Sequence, residues 1–556
     1  MTWSADPRIL NRSLWAAAAS WLVLVMITLT TSQGLHFFDP VLPLRALLQW
    51  QDGPSSHWNI LQRVDPADLA RDRSEWLGWW APGTSLLMLP GTLAGIKAGH
   101  LLRLIAAVAI LVGSLGWIRW FARFSLPPLW LVALAVSLPW MRYSSANLFR
   151  YSAEVLAFGV APWAFLALSK IPSLVSDRRI IPVALTGLLL GFTYWLKFSL
   201  LVSILAGVAA LGAWWLWSSR RHRSPPPTAR ATAVFLVCLA VAPLAWQLTG
   251  RLEGGATPLG GPRGLAWSPI DLVFVLANPA LAAADAFGPL FFALVHPGLP
   301  VLGGKTLAAV AWAGAPAGVL LFALLASALL RREVSAHVAI GAASVLFATL
   351  ALAALRIVGD VDQTPRHLAP VSLAALPVAL SEARRWWETR RSRTLRAVLA
   401  ASGLCYVAGP LIFGFAYVAA KAFSNTTYAE SPQAISLLSL PADDALVAHL
   451  DALYRVDPKG ILVVPDPELT LLWPGRALWQ FAGANIGEDL QHSYHGVPAD
   501  VRWTTRTPVS VHLLVRNGDS LPPSLEKAGF VPSATPWRGR DYFVLSGNLP
   551  PSVTAP

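Results

Sequence analysis

The chain of 556 residues is 55% hydrophobic and only 13% charged, with a mean hydropathy of +0.52. Soluble domains carry about 25% charged residues, so the composition excludes a disordered chain, an ordinary nucleic-acid binder and a purely soluble enzyme. It is the composition of a polytopic membrane protein. The formal charge is +13, from 43 basic and 30 acidic side chains. Most of the basic residues stand in short clusters between apolar runs, where they set orientation across a bilayer. The excess is therefore a topology signal before it is a signal for nucleic acid. Cys238 and Cys405 both lie in apolar runs, which leaves neither a disulfide framework nor a CxxC metal site.

The first apolar run, 13–31, follows Arg8 and Arg12 and lacks a small-residue cleavage site. It reads as a first span with the N-terminus in the cytoplasm. A polar, Trp-rich outer loop follows over 32–100, carrying a short apolar segment at 84–95 that suits the membrane interface. Runs of bilayer length then cover 101–122, 127–141, 152–170, 180–196, 198–217, 231–249, 305–330, 335–357, 367–383 and 396–421, for about eleven spans. Pro279, Asp285 and Gly288 break the run at 271–300, which reads as re-entrant or interfacial within a second outer loop, 250–304.

This register puts the densest basic clusters on the cytoplasmic side: Arg119/Arg123, Lys170/Arg178/Arg179, Arg220/Arg221/Arg223/Arg230, Arg331/Arg332 and the arginines of 384–396. It puts both long loops and the tail, 424–556, outside. In the tail the apolar runs shrink to strand length at 460–464 and 509–515, with a helical stretch at 443–450. The expectation is an α-helical polytopic membrane domain over 1–423 and a small extracytoplasmic α/β domain over 424–556.

Candidate chemistry gathers at the outer face. Asp39, in Leu35-His36-Phe37-Phe38-Asp39-Pro40, stands eight residues beyond the first span. Partial desolvation there would make it a competent general base; a solvated loop aspartate or an N-cap before Pro40 fits it too. Its loop also holds Asp52, His57, Asp65, Asp68, Asp72 and Glu75, without EF-hand or HExxH spacing. A divalent metal is thus unsupported, and no cofactor is expected.

Ionisable residues at apolar runs default to function. Glu154 opens the fourth span beside Arg142, Arg150 and Tyr151. Lys197 separates the fifth span from the sixth, and Arg366 and His367 begin the tenth after Asp360 and Asp362. Snorkelling, or an ion pair such as Glu154 with Arg150, accounts for each one singly. Their convergence on the face of Asp39 points to a shared site.

The chain also carries an ordered set of short motifs. They are Trp79-Trp80-Ala81-Pro82-Gly83-Thr84-Ser85-Leu86-Leu87, Arg103, Tyr143-Ser144-Ser145 and Glu154-Val155-Leu156, then Thr186-Gly187-Leu188-Leu189-Leu190-Gly191-Phe192, Lys197-Phe198-Ser199-Leu200-Leu201 and Arg366-His367-Leu368-Ala369-Pro370. Over about residues 10–420 their order and spacing resemble the GT-C superfamily of integral-membrane glycosyltransferases. The likeness is to the bacterial branch similar to protein O-mannosyltransferases and aminoarabinose transferases. That family often has an acidic pair, or an Asp followed by a tyrosine-containing helix; here Asp39 stands alone before Pro40.

The resemblance implies an inverting transfer of sugar from a polyprenyl-phosphate donor to an envelope acceptor, which is a lipid, glycan or protein. Asp39 would be the catalytic base. Arg366 and Lys197 would bind the substrate phosphate, assisted by His367 or Arg142, with Glu154 and His57 also among the substrate-binding residues. The bilayer is a further partner, nucleic acid is not, and the location is a bacterial inner or plasma membrane. Rival readings are an O-antigen-ligase- or polymerase-like enzyme, a noncatalytic scaffold, and a transporter, the last disfavoured by the lack of an internal repeat.

Overall fold

The computed structural model describes residues 6–29, 36–37, 41–53, 55–65, 68–78, 80–96, 98–148, 150–176, 179–222, 229–253, 269–287, 304–331, 333–358, 365–389, 392–423, 441–464, 467–479, 505–518, 529–533, 535–540 and 542–551. Its helices are α1 (Pro7–Leu29), α2 (Val41–Asp52), α3 (Gly83–Leu93), α4 (Ala98–Phe121), α5 (Pro128–Ser137), α6 (Arg142–Ser145), α7 (Glu154–Ser176) and α8 (Ile180–Leu196). They continue as α9 (Phe198–His222), α10 (Ala229–Leu252), α11 (Pro269–Phe287), α12 (Gly304–Leu329), α13 (Ala336–Val358), α14 (Ala369–Thr389), α15 (Arg393–Phe423) and α16 (Pro441–Val456).

Among the described residues six helices are long and apolar enough to cross a bilayer: α1, α4, α7, α9, α10 and α13. Shorter apolar helices, α5 and α8 among them, pack with these. Their outer faces are as apolar as their cores. On α8 Ile181, Leu185 and Leu189 point outward, and on α10 Val237, Val241, Leu244 and Leu248 do. A spacing of three and four makes each set one stripe along its helix. Water does not tolerate stripes of this extent, so the bundle is a multi-pass membrane body.

Inside, Trp117, Trp120, Phe121, Phe158 and Phe165 fill a common core with Leu373 and Val378. The two buried indoles keep their N–H groups satisfied on neighbouring helices. Trp117 donates to the Phe158 carbonyl at 3.2 Å and Trp120 to that of Ala374 at 3.0 Å. On α8, Gly187 and Gly191 lie against α10, where a Cβ would run into the Phe235 and Leu239 carbonyl oxygens. Only small residues allow that approach.

One segment departs from the sequence reading. The run beginning at 271 is not broken at Pro279, because α11 continues through it and packs among α12, α13, α14 and α15 with Ala277 and Ala282 fully buried. A proline removes one backbone bond, and close neighbours on several sides hold the helix together regardless.

The strands are β1 (His36–Phe37), β2 (Ile60–Asp65), β3 (Asp68–Trp76) and β4 (Arg150–Tyr151), then β5 (Ile461–Val464), β6 (Arg476–Trp479), β7 (Val509–Arg516), β8 (Val531–Pro532), β9 (Trp537–Arg538) and β10 (Tyr542–Leu549). The tail forms one sheet in the order β6-β5-β7-β10-β8, with β9 also on β10. The central β5 runs parallel to both neighbours and is buried along its length, which is why its sequence is an unbroken Ile-Leu-Val-Val. β7 and β10 pair antiparallel, and α16 buries Leu446 and Leu450 against the sheet.

Residues of the loop that follows α1 dock on this tail. Leu42 and Ala46 of α2, with Leu61 and Leu77, share a core with Leu450, Leu462 and Trp473. Arg45, 2% exposed, donates to the Gly475 carbonyl at 2.9 Å and to that of Ala477 at 3.4 Å. Arg476 reaches back to Asp72 at 2.6 Å. Arg45→Ala would leave two carbonyls without their charged donor and open a cavity, at a cost of about 2–4 kcal/mol. Limited proteolysis is expected to cut the tail sooner in that variant, with the membrane helices still resistant.

His512 is buried in the sheet, its Nδ1 2.9 Å from Ser546 Oγ and its Nε2 3.3 Å from Asp457 Oδ2. Burial holds its pKa below the ordinary histidine value and outweighs the opposing pull of Asp457. His449 is lowered in the same direction, by burial and then by His512. The unfolded chain therefore binds more protons just below about pH 6.5. The stability these histidines allow is full above that pH and is lost as the pH falls through it. Unfolding of the tail, followed by hydrogen exchange of the β7 amides, is expected to become easier between about pH 7.5 and 5.5. His512→Gln should flatten that dependence, and an unchanged slope would remove His512 as its source.

Candidate active site

Segments far apart in sequence meet where α7 begins. Gly83 starts α3, and a Cβ there would stand 2.7 Å from Leu196 Cα and 2.8 Å from the Trp195 oxygen, so its bare backbone lets α3 lie against the end of α8. The next residue, Thr84, hydrogen-bonds through its hydroxyl to the Tyr151 hydroxyl at 3.1 Å. Tyr151 is fully buried, and burial raises its pKa, so it stays neutral. Asn147 Oδ1 then accepts from the Ser152 amide at 2.8 Å and its hydroxyl at 3.2 Å. This closes the turn before α7 and sets Glu154 as its first residue, where the helix dipole favours a carboxylate.

Lys197 comes from another direction. α8 ends at Leu196 and α9 starts at Phe198, which leaves Lys197 as a single extended residue between two helices (φ −161°, ψ 126°). Its Nζ donates to Glu154 Oε1. The third member is Arg366, in the 3-10 turn Pro365–Leu368 that leads into α14. Its Nη1 stands 3.6 Å from the same Glu154 oxygen. The side chains of Glu154, Lys197 and Arg366 are 7%, 12% and 36% exposed, so the cluster grades from buried acid to open guanidinium. Two cations converge on one carboxylate, with a fork-shaped donor at the more exposed side. A guanidinium is a group that can pair with an anion such as a phosphate.

The remaining sequence candidates fall in different places. His367 shares the turn of Arg366 and is half-buried. Arg142 begins α6, whose backbone packs on α7 and α11 at this end of the bundle. Asp39 lies outside the described residues; the described chain ends two residues before it at Phe37, which pairs in register with Tyr151 as His36 does with Arg150. His57 joins an aromatic cluster instead of Glu154. Its ring centroid lies 5.3 Å from that of Trp58 and 5.4 Å from that of Trp76, and its Nδ1 accepts from the Asn59 amide at 3.1 Å. Trp76 continues to Trp246 at 5.0 Å, and the same cluster holds Tyr194 stacked on Phe198 at 4.4 Å, directly after Lys197.

Sequence reading missed Thr84 and Asn147, which hold Tyr151 and the turn before α7. A Tyr three residues ahead of an intramembrane acid is the one local signal that points to them. Among the described residues no three His, Cys, Asp or Glu side chains converge as metal ligands would.

The charge cluster thus lies at one end of a helical bundle whose fold has solved counterparts. The chain superposes on the crystal structure of ArnT, an aminoarabinose transferase, from Cupriavidus metallidurans bound to undecaprenyl phosphate. The match covers 98% of both chains at a TM-score of 0.51 and 13% identity. The apo form of the same protein matches over 95% of this chain and 98% of that one, with a TM-score of 0.48 and 13% identity. An oligosaccharyltransferase of Archaeoglobus fulgidus, tethered to an acceptor peptide, matches over 91% and 69%, at 0.45 and 13%. The fold assignment rests on the first of these, and at such identity it is the fold alone that is shared. The sequence matches no family model and no curated protein.

Proposed function

We propose that this protein is an inverting glycosyltransferase that moves a sugar from a polyprenyl-phosphate donor to an envelope acceptor, a lipid, glycan or protein. The observation that carries the reading is the convergence of Lys197 and Arg366 on Glu154 at the bundle end that also bears the first outer loop and the tail. ArnT, of like fold, is described bound to undecaprenyl phosphate, and a lipid phosphate is the kind of anion such a cluster seats. In the reaction the acceptor hydroxyl attacks the anomeric carbon as the bond to the donor phosphate oxygen breaks. Asp39 takes the hydroxyl proton, and the lipid phosphate leaves with the bonding pair. Arg366 and Lys197 stabilise the charge gathering on that phosphate, and Glu154 positions both cations.

In this reading the N-terminus is cytoplasmic, residues 1–423 form the membrane domain, and the site opens to the outer face of the inner or plasma membrane. The loops 32–100 and 250–304 and the domain 424–556 are then placed to recognise the acceptor. The test is release of free polyprenyl phosphate from a panel of polyprenyl-phosphate sugars, followed by mass spectrometry, with purified protein and envelope extract as the acceptor source. Release from at least one donor is expected, dependent on the extract. No release from any donor would overturn the reading.

A further inference from the structure

A second basic site stands at the other end of the bundle. Glu154 and Lys170 share α7, and their separation of sixteen residues is about 24 Å of helix. Near Lys170 a cavity of about 600 Å³ opens between α1, α4, α7 and α8. Arg119, Arg123 and Lys170 line it, and no carboxylate does so among the described residues. The Arg119 guanidinium lies 5.1 Å from the centroid of the Trp163 ring, and that indole is fixed by donating to the Val112 carbonyl at 3.1 Å. None of the three cations has an ion-pair partner among the described residues. Three like charges around one cavity repel each other until an anion enters.

The rest of the lining is largely apolar, from Leu10 of α1 across to α8. Thr186, which closes that side, is flanked on α8 by Ile181 and Leu185, 69% and 54% exposed on the lipid-facing stripe. The cavity thus joins a phosphate-binding set of cations to a surface made for acyl chains. We propose that it binds the headgroup phosphate of an anionic phospholipid, with the acyl chains running out beside α8. Free inorganic phosphate shares the headgroup chemistry, but it has no use for the apolar wall.

The test is native mass spectrometry of the full chain released from zwitterionic detergent, after titration with phosphatidylglycerol, phosphatidylcholine or inorganic phosphate. Phosphatidylglycerol is expected to stay bound where phosphatidylcholine is lost, and to resist an excess of inorganic phosphate. Arg123→Gln and Lys170→Gln should each weaken retention about fivefold, the effect of one basic charge at an anionic lipid surface, while Arg123→Lys keeps it. Equal retention of the two lipids, or retention unmoved in both glutamine variants, would overturn the proposal. Displacement by inorganic phosphate would also overturn it, in favour of a free-phosphate site. The comparison of the two lipids on the wild-type protein decides the matter even where a variant fails to fold.

Discussion

Asparagine in place of Asp39 is expected to slow release of polyprenyl phosphate by about 10²–10⁴-fold, the usual contribution of a positioned general base. The amide copies the shape of the carboxylate and its hydrogen bonds but takes no proton from the acceptor hydroxyl. Donor binding should hardly change, because the cations assigned to the phosphate come from other segments, Lys197 between α8 and α9 and Arg366 before α14. The loss should therefore appear in kcat, with KM for the donor almost unmoved. The register of β1 on β4 sets Phe37 against Tyr151, three residues before Glu154. Release at the wild-type rate would remove Asp39 as the base and leave the donor chemistry standing.

Glu154→Ala should have the second large effect, on stability as well as turnover. The carboxylate is the shared partner of Lys197 and Arg366, and Lys197 is 12% exposed. Deleting one partner of a buried pair strands the other, at a cost of about 3–5 kcal/mol. The unfolding midpoint in detergent should drop accordingly. Adding Lys197→Met to Glu154→Ala removes the stranded charge, so the double variant should recover part of the lost stability. Turnover should not recover, because one of the two cations proposed for the leaving phosphate is gone. This cycle separates holding the fold from serving the reaction. Recovery of turnover along with stability would make Lys197 a purely structural lysine.

Ionisable groups in apolar runs are conspicuous, so Glu154, Lys197 and Arg366 are legible in the sequence alone. Their energetic cost in lipid is what makes them stand out. The strands at Ile461–Val464 and Val509–Arg516 and the helix at Pro441–Val456 are legible as well, since each carries the periodicity or composition of its element. Arg45 is not. Its polar loop gives it the look of a solvated surface charge, and its burial depends on carbonyls at Gly475 and Ala477 that no local pattern announces. The packing of His57 is likewise not announced by the sequence. A histidine in an acidic loop reads as chemistry, while its ring packs between Trp58 and Trp76. Pro279 reads as a breaker on its local cost alone, and the packing of four neighbouring helices decides the outcome.

The docking of the loop after α1 on the tail also sets a timetable for biogenesis. Arg45 and its partner Gly475 are 430 residues apart, and at ribosomal speeds of about 5–20 residues per second the loop waits roughly 20–90 s for the tail to be made. Through that interval Leu42, Leu61 and Leu77 have no sheet to cover them. A ribosome stalled late in the message would leave a membrane bundle with an adhesive, uncovered loop.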